Sequence, residues 1–246
     1  MSLDGPRSRV ALVLMVKEPH PGTVKTRLCP PLSTREAARL YSCFLTDLAR
    51  ESLPLAGSVD LVVAWADEDR RDRPDPPDAP PEGLARTFAD PAFRFLPQEG
   101  ATLTDRMSSV FGALFALGYR GVVMRNSDSP HLPRSMLLTA VAALARPGVV
   151  VIGPDLDGGY TLLGADADPS ALLPRTMSTD SVLEQTVRAC QGAGREVVLL
   201  ERFLDVDTPD DLLLLWLELE GRADAGSWAT YEELRDHPAL ATLRAE

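Results

Sequence analysis

RVALVLMV at 9–16, followed by KEPHPGTVKTRL at 17–28, is the stretch on which the fold turns. After Arg9 its first part is an unbroken apolar run rich in valine and leucine, the pattern of a strand buried on both faces. Its second part is polar, with Pro19, Pro21 and Gly22 as breakers and Lys17, Lys25 and Arg27 as cations. Ser33 and Glu36 then have the S-x-x-E spacing of a capping box. They open a helix to about residue 51 whose apolar positions, Ala37, Leu40, Tyr41, Phe44, Leu45 and Leu48, recur at helical spacing. A buried strand, a polar loop and an amphipathic helix make the first βα unit of a parallel sheet.

Outward from this unit the pattern repeats. Apolar runs at 59–65, 93–96, 121–124, 149–152, 160–163 and 195–200 read as strands, and 103–117, 133–146 and 181–189 read as helices. Thr208 and Pro209 cap a further helix. Residues 67–91 are charged and proline-rich and are expected as a surface excursion. Strands alternating with helices predict a single α/β domain: a three-layer sandwich whose mostly parallel sheet is covered on both faces. It is expected over residues 1–220, with 221–246 as a separate C-terminal helical appendage carrying a short helix around 231–235.

Composition narrows the class. The chain has 246 residues, 45% of them hydrophobic, enough for one large core. Its formal net charge of -11 argues against nucleic acid and anionic membrane as partners, because basic patches supply most of the affinity for both. No apolar run approaches the roughly 18 residues of a membrane span, and the N-terminus lacks the long apolar run of a signal peptide. Cys29, Cys43 and Cys190 are odd in number and widely spaced, which suits free thiols in a cytoplasmic protein. Of 25 basic residues only Lys17 and Lys25 are lysine; the rest are arginine. Such a skew suits a GC-rich genome that replaces lysine wherever arginine serves. The two survivors lie in one loop, which marks that loop as chemically constrained.

Four polar segments each follow a predicted strand: the Lys17 loop, Asn126-Ser127-Asp128, Asp157-Gly158-Gly159 and Asp205-Val206-Asp207. Loops at the carboxyl ends of parallel strands gather on one edge, where ligands bind. In the first loop Lys25 is a compact charge for a phosphate oxygen and Arg27 a two-pronged one. Gly22 permits a tight turn or close approach. Asp128 is placed as a ligand for a hard cation or as a cap ahead of Pro133. Asp205 and Asp207 share one face if the chain is extended, though Asp207 could instead serve the helix start. Asp157-Gly158-Gly159 allows close approach of a sugar or ribose, or simply a hairpin turn. His131 reads as a helix-entry or surface histidine.

At these residues the chain resembles the bacterial GT-A-like, nucleotide-diphospho-sugar-transferase-like proteins often labelled arsenosugar-biosynthesis glycosyltransferases. The matching stretches are 17–28, Asp128-Ser129-Pro130-His131-Leu132-Pro133, Gly153-Pro154-Asp155-Leu156-Asp157-Gly158-Gly159-Tyr160 and Asp205-Val206-Asp207-Thr208-Pro209-Asp210-Asp211-Leu212. Lys25-Thr26-Arg27-Leu28 and the Asp-Gly-Gly turn are also similar to those of phospholactate guanylyltransferases. Asn126, Thr104 and Met177 depart from the family pattern. They leave the phosphate and metal positions intact and bear on the acceptor pocket.

The resemblance implies a GT-A-like (Rossmann-like) fold and a metal-dependent transferase using a nucleotide-activated donor. Lys25, Arg27 and Asp128 are the expected catalytic residues. Lys17, Gly22, Thr26, Asn126, Asp157, Gly158, Gly159 and Tyr160 are the expected nucleotide- or substrate-binding residues. Asp128, Asp205 and Asp207 are expected to hold Mg²⁺ or Mn²⁺. The partners would be a nucleotide sugar or a nucleoside triphosphate, with a small-molecule acceptor. The first alternative is a nucleotidyltransferase acting on a phosphorylated small molecule, which needs no general base. The second is a non-catalytic nucleotide-binding protein.

Overall fold

A computed structural model describes residues 5–66, 79–177 and 181–243. Seven strands form one sheet: β1 (Val10–Lys17), β2 (Asp60–Ala66), β3 (Phe93–Pro97), β4 (Gly121–Arg125), β5 (Val149–Pro154), β6 (Tyr160–Ala165) and β7 (Glu196–Leu199). Their spatial order is β3-β2-β1-β4-β6-β5-β7. All pairings are parallel except those of β6, which runs antiparallel to both β4 and β5. The β5–β6 hairpin needs only a short turn, so its tip, Asp157-Gly158-Gly159, stays at the carboxyl edge of β5.

Alternation along β1 explains the layers. Leu12, Leu14 and Val16 enter one core with α1 (Thr34–Ser52), α4 (Arg134–Ala143) and α6 (Pro209–Glu220). Ala11 and Val13 enter the other, against α3 (Leu103–Ala116) and α5 (Val182–Gly192). With side chains reversing at each residue, a strand covered on both faces has no polar position.

The Ser33–Glu36 capping box is formed, and Thr208 caps α6 reciprocally with Asp211. Within the expected excursion, α2 (Glu82–Thr87) is a short helix whose Leu84 is fully buried; residues 67–78 lie outside the described part of the chain. The segment expected as an appendage is helical, as α7 (Ala229–Leu234) and α8 (Pro238–Leu243), yet it shares the main core. Trp228, Leu234 and Leu240 are buried there, and Asp47 of α1 accepts the backbone N–H groups of Ala229 and Thr230. The reason is area: Trp228 alone is too large an apolar body to leave uncovered. Among the described residues no helix is long and apolar enough to cross a membrane. All three cysteines are free thiols.

Candidate functional site

The four polar segments do converge at the carboxyl edge of the sheet. After β1 the chain turns at Gly22, whose φ is 85°, and reaches Lys25 in the left-handed region at φ 49°. Lys25 is the one non-glycine residue with positive φ among those described. This costly conformation sends its side chain inward. The ammonium lies 2.5 Å from Asp128 Oδ1 and 3.2 Å from Asp207 Oδ1, and it donates to the Val206 carbonyl at 2.7 Å. Its side chain is 3% exposed.

Three donors meeting three acceptors saturate an ammonium. Burial alone would lower the pKa of Lys25, but Asp128, then Asp207 and Asp205, override it and hold the group above the ordinary lysine range. In this arrangement Lys25 grips carboxylates and has no donor left for a phosphate. Arg27, also bonded to Asp207 at 3.3 Å, has a side chain 67% exposed and keeps guanidinium surface for a ligand.

The Asp205 segment reaches this place by crossing the sheet edge from β7. Leu200 N–H donates to Ile152, Phe203 N–H to Pro154, and Val206 N–H to Asp128. Asp205 accepts from Asn126 Nδ2 at 3.2 Å. Burial, and next the nearby Asp128, pushes its carboxyl well above the usual range, against the pull of Lys25. Asp207 does not serve the helix start; Thr208 and Asp211 do that, leaving its carboxylate to Lys25 and Arg27. Nor does Asp128 cap α4, which begins at Arg134 after Pro133 as N-cap, with no side-chain cap.

Asp157-Gly158-Gly159 is a hairpin turn and also borders a cavity, so its two readings coincide. Asp155 ties the turn by accepting from the backbone N–H of Asp157 and Gly159, at 2.9 and 2.7 Å. A Cβ on Gly159 would stand 2.5 Å from Asp155 Oδ2, so a side chain there would push aside the carboxylate that ties the turn.

Two adjoining cavities open here. The larger, about 1100 Å³, is bordered by Asp157, Gly158, Gly159, Tyr160, Asp155 and Asp205, among others. The smaller, about 530 Å³, is bordered by Lys17, Lys25, Thr26, Arg27, Tyr41 and Arg106, among others. Asn126, Asp128 and Asp207 border both. Of the residues singled out in the sequence, Gly22 borders neither; with open space where a Cβ would go, it makes the turn rather than admitting a ligand closely.

Residues without a legible signal also shape the site. Gln98 Nε2 bridges the carbonyls of Val16 and Ala64. Arg202 donates to the Asp155 carbonyl at 3.1 Å. Arg125, wholly buried beneath the site, gives Nε to the Asn126 carbonyl and Nη2 to that of Ser129. Burial pulls its guanidinium down to about 9. Only Asp155 had a cue, its place within the Gly153–Tyr160 motif. His131 corrects the expectation of a surface or entry histidine: it is 2% exposed, its ring 4.6 Å from that of Phe203. Among the described residues no three His, Cys, Asp or Glu side chains stand ready-formed around a metal position. Asp128, Asp205 and Asp207 nevertheless suit a hard divalent ion by donor chemistry. Lys25 occupies the centre of that charge.

Residues 50–179, just over half of the chain, match the DUF2064 family, described as uncharacterized protein conserved in bacteria. The chain is also 30% identical to a protein of Desulfovibrio desulfuricans G20 that carries the provisional name nucleotide-diphospho-sugar transferase. The match covers 97% of this chain and 98% of that one, with a TM-score of 0.82. This chain belongs to the DUF2064 family. For this DUF2064 member more distant likenesses show the same fold. One is a nucleotidyl transferase of Methanothermobacter thermautotroptrophicus, at 13% identity, TM-score 0.52, over 84% of this chain and 95% of that one. Another is the 4-diphosphocytidyl-2C-methyl-D-erythritol synthase of Anaerococcus prevotii DSM 20548, at 10% identity, TM-score 0.51, over 87% and 100%. No curated protein matches the chain.

Proposed function

We propose that this protein is a transferase using a nucleotide-activated donor, a nucleoside-diphosphate sugar, with Mg²⁺ or Mn²⁺ on the diphosphate. The observation that carries this reading is the single ammonium buried among three carboxylates at the carboxyl edge of the sheet, with a cation-lined cavity beside it. Lys17, Arg27 and Arg106 border that cavity and suit the phosphates. Asp128, Asp205 and Asp207 are the residues to hold the divalent ion, which when bound neutralises charge on the leaving phosphates. Lys25 would have to give up Asp128 and Asp207 for this, and its ammonium would then be free for the diphosphate.

In the transfer the acceptor oxygen bonds to the anomeric carbon. The carbon–oxygen bond to the diphosphate breaks with its electron pair on the leaving nucleoside diphosphate. The acceptor's proton passes to a carboxylate bordering the larger cavity. Asp155 and Asp157 border that cavity and are not assigned to the ion, so a base is available for glycosyl transfer. The test is to incubate the protein and Mn²⁺ with nucleotide sugars or nucleoside triphosphates and acceptor mixtures, following released nucleoside diphosphate and pyrophosphate. Nucleoside diphosphate from nucleotide sugars is expected; pyrophosphate alone would make the protein a nucleotidyltransferase.

A further inference from the structure

The two cavities differ in charge and in the softness of their walls. Both lysines of the chain border the smaller one and neither borders the larger. Among the described residues bordering the smaller, the cations are Lys17, Lys25, Arg27 and Arg106 and the carboxylates Asp128 and Asp207. Around the larger the balance reverses. Asp128, Asp155, Asp157, Asp205 and Asp207 stand against Arg27, Arg125 and Arg202. Arg125 gives Nε and Nη2 to two backbone carbonyls, which leaves only its buried Nη1 without a partner. A phosphate monoester placed there would add about -1.5 to -2 charges beside those carboxylates. It would also lose water with few free donors in exchange.

The apolar wall is equally distinctive. The chain has six methionines, and four of them, Met15, Met107, Met124 and Met177, border the larger cavity. They come from β1, α3, β4 and the segment before α5, so no local periodicity explains their meeting. Tyr160 lies with them, its hydroxyl 3.8 Å from Met177 Sδ. At the rim Leu103 and Leu156 are 43% and 55% exposed, large apolar side chains left to water where a ligand would cover them. Thioethers are polarizable and adaptable, and they favour aromatic or other soft apolar bodies.

We infer that the larger cavity takes an acceptor that is uncharged or cationic, carries a hydroxyl group and has a compact apolar, polarizable body, and that it rejects phosphorylated acceptors. This rests on the nucleotide reading only in assigning the smaller cavity to the donor.

The test uses the whole protein labelled with ¹³C at the methionine methyls, each resonance assigned by a Met→Leu substitution. Met136 serves as the internal reference, because it packs in the opposite layer with α4. Benzyl alcohol and benzyl phosphate are titrated separately, and UDP and GDP in a further arm. Benzyl alcohol is expected to move the methyls of Met107, Met124 and Met177 and leave Met136 in place. Benzyl phosphate is expected to need at least tenfold more for the same shift, and Asp157→Lys to narrow that gap severalfold. Equal shifts by the two probes, no shift of the three methyls by the alcohol, or equal movement of Met136 would overturn the inference. The nucleotide arm separates the two claims, since Met15 borders both cavities. If UDP and GDP leave Met15 unmoved while benzyl alcohol moves the other three, the donor reading fails and the acceptor inference stands.

Discussion

Each end of the sheet buries an acid–base cluster, and the two are built to different rules. At the amino edge Asp60 accepts from Arg94 at 3.2 Å, from the Tyr119 hydroxyl at 2.6 Å and from the backbone N–H of Arg7 at 2.7 Å. One carboxylate meets one guanidinium and two neutral donors, and neither cavity touches it. At the carboxyl edge one ammonium, on a left-handed residue, serves three carboxylates, two of which border both cavities. The first cluster is balanced and closed, so it holds strands β2 and β3 to the turn before β4. The second carries surplus negative charge held by one buried ammonium, with only the exposed Arg27 added on Asp207. Imbalance beside open space, more than burial of charge itself, separates a site from a strut.

The comparison breaks first at the strut. Asp60→Ala leaves the Arg94 guanidinium buried without its carboxylate and should cost about 3–5 kcal/mol, roughly 10 °C in Tm for a chain this long. Nucleotide affinity should be unchanged. Calorimetry and titration of the same variant read both, and weakened nucleotide binding with intact stability would reverse the assignment of the two clusters.

Lys25→Met should cost less, about 2 kcal/mol, because Asp128 and Asp207 are partly exposed and water screens the carboxylates left behind. Mn²⁺ should then raise the Tm of this variant more than that of the wild type, since the ion no longer competes with the ammonium. A smaller Mn²⁺ effect in the variant would mean that Lys25 and the ion do not share the carboxylates.

Acid should act through His131. Burial, and then the Arg125 guanidinium, lowers it to about 3, and Glu218 at 3.4 Å does not offset them. The folded state therefore binds this proton more weakly than the unfolded chain, whose histidine titrates near about 6.5. The stabilising contribution is complete above that pH and is lost as pH falls toward 3, by about 1.4 kcal/mol per unit, or roughly 2 kcal/mol at pH 5. His131→Phe should flatten this slope of stability against pH; an unchanged slope would place the acid-sensitive group elsewhere.

The contrast between clusters also explains what could be read from the residues alone. The Lys25 site left local traces: a lysine in a chain that otherwise uses arginine, a glycine-bearing loop, and acids at strand ends. The layers were legible because an all-apolar strand and a capping box are local patterns. Asp60, Arg94 and Tyr119 left none, being ordinary residues joined only by strand register. Arg125 and Gln98 were equally silent, since their partners are backbone carbonyls of distant strands. The antiparallel course of β6 was blurred because a strand buried on both faces reads the same in either direction. Trp228 falls in the segment that reads as an appendage because its partners on α1 lie far back in the chain.

The most direct test is a thermal-shift panel of nucleoside diphosphates and nucleotide sugars, with and without Mn²⁺, on the wild type and on Arg27→Ala. Arg27 is exposed, so its loss should leave the unliganded Tm unchanged. At 100 times its Kd a ligand adds about 2.7 kcal/mol to stability, a rise of several degrees. The account predicts that rise for at least one nucleotide with Mn²⁺, and an affinity about tenfold weaker in Arg27→Ala. No shift with any nucleotide, or the same affinity in both proteins, would contradict it.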